Sequence, residues 1–215
     1  MKKLLLALLL ILAPSLALAQ EPRPDRPHWS VELKGGVLFP DIDRWSTFYG
    51  SSSAGEFGGA LAYKVERHLE VGIEGTYSHA SGKGVQPSHE TASGEVTFDR
   101  APLNVFLLGR GVISEDQWLV PYAGGGYTRM FYRADVKGQG TTKGSVDGFH
   151  ARAGVEFLLD RLERDTAESL YHEFGVHHTY FFVEGRFIRA MADTLTGGSV
   201  NLGGSSCLGG ILVEF

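Results

Sequence analysis

Apolar and polar residues alternate with a period of two along most of this 215-residue chain, which is the strand period. Trp29, Val31, Leu33, Val37 and Phe39 share one face, and Ser30, Glu32 and Lys34 share the other. Phe57, Leu61, Tyr63 and Val65 repeat the pattern against Lys64. Leu69, Val71, Ile73 and Tyr77 repeat it against Glu70 and Glu74. Further strands are predicted over 95–111, with a bulge or register change at Pro102, over 118–134 and over 149–157. The last two are predicted over 178–191 and 200–215. In the final one Phe215, Val213 and Ile211 oppose Glu214 and Leu212.

One segment has the helical period instead. Ala167, Leu170, Tyr171 and Phe174 fall at i, i+3, i+4, i+7, with Gly175 ending the run and Asp165-x-x-Glu168 reading as a capping box. The predicted architecture is all-β: eight antiparallel strands and one short helix between the sixth and seventh. Connections alternate long and short, with polar loops over 40–54, 80–94 and 135–147.

The parity sorts the charges. Glu32, Lys34, Lys64, Glu70, Glu74, Arg152, Glu156, Glu184 and Arg186 all lie opposite the apolar sets. Charges are ruinous on a lipid-facing surface, and an eight-stranded barrel has an interior just wide enough for side chains. A transmembrane up-and-down barrel with a closed, ion-paired lumen follows, with Glu74, Arg152, Glu156 and Arg186 as the expected pairing members. Trp29, Phe39, Tyr77, Trp118, Tyr132 and Phe215 sit near predicted strand ends, where interfacial girdles form.

The N-terminus agrees. Lys2 and Lys3 precede an apolar run from Leu4 to Leu12, Pro14 breaks it, and Ala17-Leu18-Ala19 is a cleavage site. Residues 1–19 read as a secretory signal peptide cleaved before Gln20, residues 20–28 as a Pro-rich linker and 29–215 as the barrel. The apolar run is shorter than the roughly 20 residues of a spanning helix. Formal charge is −5, or −7 without Lys2 and Lys3, which suits no nucleic acid. Cys207 is the single cysteine, so an intramolecular disulfide is excluded.

Four motifs suggest chemistry and fall short on spacing or order. His79-Ala80-Ser81 is similar to the His-x-Ser pair of a lipid A deacylase barrel, with Glu74 or Glu90 as a third member, but Gly82 follows where that motif has asparagine. His172 and His177 are i, i+5 rather than the i, i+4 of a zinc helix. Gly124-Gly125-Gly126 and Gly138-Gln139-Gly140 lack the order of nucleotide loops. No catalytic residue, metal or cofactor is predicted.

The signal peptide, the Pro121 to Gly126 segment, the Gly148 to Phe157 strand and the terminal Leu212-Val213-Glu214-Phe215 resemble those of small eight-stranded outer-membrane barrels of the OmpA, OmpX and OmpW type. That resemblance implies a Gram-negative outer membrane, contact with its lipids and lipopolysaccharide, and a barrel-assembly machinery that reads Phe215, Val213 and Ile211. It implies both termini and the helix in the periplasm. The role expected is structural or surface-interacting and not enzymatic. Alternatives are an OmpW-like narrow pathway for small hydrophobic molecules and a lipid A-modifying barrel.

Overall fold

The computed structural model describes residues 26–83, 94–114, 117–138, 140–193 and 198–215. The signal sequence, the first part of the linker, and Glu90 lie outside them. Its long strands are β1 (Trp29–Pro40), β2 (Ala54–Glu66), β3 (Leu69–Gly82), β4 (Val96–Arg110), β5 (Leu119–Val136), β6 (Gly140–Leu158), β7 (His178–Asp193) and β9 (Gly204–Glu214). A three-residue strand, β8 (Ser199–Asn201), pairs with the end of β7 as a detached first piece of the last stave. Each long strand pairs antiparallel with its neighbours, and β7–β9 and β9–β1 close the ring. Closure leaves no sheet edge within the wall, as a β-structure without water at its flanks requires; β6 before Gly148 projects past β7 and pairs with β5 alone.

Alternation along each stave puts one set of side chains inside and the other outside. Leu33, Phe57, Ile73, Leu107, Phe149 and Val183 are exposed on the outer wall, whereas Glu32, Glu74, Asn104, Arg152 and Glu184 are buried within it. The inner wall is crowded enough to need glycine. A Cβ on Gly126 would lie 1.9 Å from the Val105 carbonyl oxygen, and one on Gly210 would lie 1.9 Å from that of Leu33.

Several local expectations are corrected. Residues 135–147 form no polar loop: β5 and β6 continue as a hairpin, with Asp135 opposite Thr141, and Gly138 (φ 84°) and Gly140 (φ 103°) making the tight turn. The backbone fits this because Asp135 accepts from the Thr141 hydroxyl at 2.6 Å, and both glycines reach positive φ at no steric cost. The β3–β4 register is the same on both sides of Pro102, so no shift occurs there. Pairing only lapses at Thr76 and Tyr77, and the register shift falls in β2 between Lys64 and Glu66.

Two helices sit in the connections. α1 (Trp45–Tyr49) lies between β1 and β2, and α2 (Arg164–Phe174) between β6 and β7. The capping box at Asp165 does not form. α2 begins earlier, with Glu163 at the N-cap, and the Thr166 hydroxyl donates to the Glu163 carboxylate at 2.9 Å. Gly175 ends the helix at φ 70°, as its position predicts. The apolar face of α2 is not fully buried under the barrel, since Phe174 is 66% exposed and Tyr171 40%.

Candidate functional site: the filled lumen

The interior divides into layers. Nearest the termini, Arg110 donates to Glu70 at 2.9 Å and Glu214 at 2.6 Å and pairs with Glu156; Lys64 also pairs with Glu214. The Arg110 guanidinium stands 5.5 Å from the Tyr180 ring centre. Midway, Lys34 lies 2.7 Å from Glu32, 2.6 Å from Glu74 and 3.5 Å from Glu184. Arg152 reaches the same three carboxylates at 3.0–3.3 Å and stacks 4.0 Å from the Phe106 ring. Asn104 and the Tyr122 hydroxyl donate to Glu74 and Glu184. Higher still, Arg186 bridges Glu74 at 2.5 Å and Glu56 at 2.6 Å, and Arg100 joins Glu56 at 3.2 Å.

Six cations thus face seven carboxylates within the wall, with little solvent contact. Such burial is sustained only where charges pair and their remaining hydrogen-bonding capacity is met. The pairing is achieved by long side chains reaching across the lumen from non-adjacent staves, although the Nε atoms of Arg110, Arg152 and Arg186 are buried without a hydrogen-bond partner. Glu32, Glu74 and Glu184 come close enough to suit a cation's ligand set. Lys34 and Arg152 already occupy that role, so the cluster is an ion-pair hub rather than a metal centre.

An apolar layer lies toward the end opposite the termini. Trp45 of α1 folds inward, 5.8 Å edge-on from Phe98, and Met130, Ile188, Ala190 and Leu202 complete the cluster. The β8–β9 kink contributes structurally here. Its Leu202 and Gly203 carbonyls point inward and accept from Arg100 at 3.2 and 3.1 Å.

The structure brings all nine charges named from parity into this interior. Arg152 and Arg186 both pair with Glu74; Glu156 pairs instead with Arg110. Glu56, Arg100, Arg110 and Glu214 belong to the network and were missed. Each nevertheless has the inward parity of its strand, so the signal was there to be read. Ile211, Val213 and Phe215 face outward, and the Phe215 backbone bonds to Trp29 in both directions, at 2.9 and 3.1 Å. Among the girdle aromatics, Tyr132 is the exception. It has the inward parity and packs against the apolar layer, because β5 extends well past the point where a girdle would end it.

The weak motifs also find places. His79 is on the outer wall, its Nδ1 2.7 Å from Asp99 of the adjacent strand, and Tyr77 donates to the same carboxylate. Glu74 points into the lumen and cannot serve His79. Ser81 is exposed and forms no hydrogen bond with His79 among the described residues. His172 lies near Glu168 on α2, and His177 stacks edge-on against Tyr171. Gly124, Gly125 and Gly126 lie within β5.

Residues 4–202 match the family described as the outer membrane protein beta-barrel domain. The chain belongs to that family. Outer-membrane β-barrel therefore describes its compartment as well as its shape. Neisserial surface protein A (NspA) has a similar fold, with a TM-score of 0.57 at 11% identity, over 87% of this chain and 97% of that one. The outer membrane protein OprG from Pseudomonas aeruginosa aligns with a TM-score of 0.54 at 12% identity, over 88% and 97% respectively. At these identities the likeness concerns the fold alone. No curated protein matches the chain by sequence.

Proposed function

We propose that this outer-membrane barrel acts through its outer wall and its loop end, as a structural or surface-interacting protein without enzymatic activity, and that its lumen is closed to general solute flow. The observation that carries this reading is the continuous interior filling: three ion-paired layers roofed by the Trp45 cluster. The short β2–β3 and β4–β5 turns lie at the end of the termini and α2, and short turns are typically periplasmic in such barrels, which supports a reading with that end in the periplasm and the α1 loop and β5–β6 hairpin outside the cell. A narrow hydrophobic pathway finds support in the apolar roof, but the charged layers beneath it oppose passage of an apolar solute.

Single-channel recording tests the closed lumen. Wild-type protein in planar bilayers is expected to give no large steady conductance. Arg152→Leu, which removes a cation shared by three carboxylates, is expected to admit transient openings. Large steady currents identical in both proteins would mean that the charges line an open pore.

A lipid-modifying role is the second reading, and the His79–Asp99 contact favours it, since a carboxylate at Nδ1 is how a general-base histidine is oriented. The missing Ser81–His79 hydrogen bond and the competing Tyr77 donor speak for a simple interfacial hydrogen-bond cluster. Lipid A mass spectra from cells with wild-type, Ser81→Ala and His79→Ala proteins are therefore expected to coincide. Acyl chains lost with the wild type and retained with either variant would establish the enzyme.

A further inference from the structure

On the lipid-facing side of β5, the apolar run from Leu119 to Tyr127 spans nine residues, which matches the roughly 9–11 that a tilted strand needs to cross a bilayer. The belt ends on the neighbouring staves at Tyr77, Ala101, Phe149 and Phe187. The next outward positions are His79, Asp99, Arg129, Asp147 and Arg189. β5 and β6 do not stop there. They run on as a projecting hairpin whose outer face carries Arg129, Phe131 and Arg133 on one strand and Lys143, Ser145 and Asp147 on the other.

The cations on this hairpin are unequally matched. Arg129 is engaged by Asp147 and donates to the Ser145 hydroxyl at 2.7 Å. Asp99 is held by Tyr77 and His79. Arg133 faces Asp99 across the β4–β5 ladder and lies 3.7 Å from Asp135, without a hydrogen bond to either among the described residues, and Lys143, directly opposite Arg133 on its other side, makes no ion pair or hydrogen bond among the described residues. Like charges placed directly opposite each other across a ladder repel, and an anion between them reverses the sign. Arg133 and Lys143 stand at the rim of a shallow groove of about 520 Å³, whose walls include Tyr77, Asp99, Phe131 and Ser145. The groove is mostly apolar and opens onto the outer wall just above the belt.

We propose that Arg133 and Lys143 clamp a phosphate of lipid A, the phosphorylated glycolipid of the outer leaflet, with an acyl chain lying in the groove beside Phe131. The reading rests on the placement of the loop end outside the cell. A phosphomonoester carries about −1.5 to −2 charges at neutral pH. It therefore answers two cations better than the single charge of a phosphodiester headgroup does. A basic site at headgroup level beside an apolar surface is how membrane proteins hold particular anionic lipids.

The test uses full-length processed protein in phosphatidylethanolamine nanodiscs, with retained lipid counted by native mass spectrometry. Three probes are added in turn: bisphosphorylated lipid A, dephosphorylated lipid A and phosphatidylglycerol. Wild type is expected to retain the first in preference to the others. Arg133→Ser/Lys143→Ser is expected to weaken that retention about tenfold or more. Heat-modifiable migration shows that each variant is folded, and Arg129→Ser, whose charge is already engaged, serves as the comparison with a smaller loss. Equal retention by wild type and the double variant, or equal retention of all three probes, overturns the proposal. Protein that never inserts into the discs overturns the membrane placement itself, and the clamp with it.

Discussion

Arg110→Leu is expected to cause the largest loss of stability of any single lumen substitution. The guanidinium is the meeting point of Glu70, Glu156 and Glu214, and its side chain is almost wholly buried. Without it, Lys64 alone remains for Glu214 and for its ladder partner Glu70, and Glu156 loses its cation. Removing one partner of a buried pair costs about 3–5 kcal/mol, because a charge is left without compensation in a medium that solvates it poorly. Urea unfolding of detergent-refolded protein, followed by the loss of heat-modifiable migration, measures this. The midpoint should fall markedly for Arg110→Leu and recover in part for Arg110→Leu/Glu156→Gln, which removes one of the stranded charges. A midpoint unchanged by Arg110→Leu would show that the layer nearest the termini is hydrated and its pairs dispensable.

Phe215→Asp is expected to abolish assembly in the cell while leaving the refolded protein nearly intact. The Phe215 ring faces lipid, and its backbone completes the β9–β1 seam through Trp29 and His28. The position lies at the rim of the wall. An aspartate there costs only about 0–1 kcal/mol, against 2–4 kcal/mol for a basic side chain at mid-bilayer. Lipid exposure alone therefore cannot block insertion, and a large defect in cells means that the outward aromatic is recognised during assembly. Cell fractionation should find the processed variant in the periplasm or degraded, with little in the outer membrane. Purified Phe215→Asp should still refold in detergent. Wild-type levels in the outer membrane would remove any role for Phe215 in assembly, and failure to refold in detergent would make its role one of stability.

How much of this was legible beforehand varies with the range of the interaction. The staves were legible because inside and outside differ at every second residue. Val183, Glu184 and Gly185 announce their faces without reference to the rest of the chain. Glu56, Arg100 and Arg110 followed the same rule but stood beside glycine, proline or a turn, where few apolar neighbours mark the parity. The hairpin beyond Ala134 was hidden because residues 135–147 have Val136 and Val146 as their only large apolar side chains, and a polar alternation looks like a loop when both sides meet water. The α2 N-cap was misplaced for a different reason. Glu163 and Asp165 offer comparable acidic starts, and the chain leaving Leu158 determines which one the helix uses.

The sequence by itself determined the strand count, the inward destination of the charges and the presence of a helix after β6. All of these depend on local periodicity, which is fixed by backbone geometry and the cost of placing charge in lipid. Only the tertiary structure decided which charge meets which. Lys34 finds Glu184 from 150 positions away, and Arg110 finds Glu214 from 104. It also decided that Trp45 turns inward as a roof and that Arg133 stands opposite Lys143 on the outer wall. Those pairings follow from the closure of the ring and its register, which bring distant residues to the same level of the barrel, and no repeat within a single strand records that level.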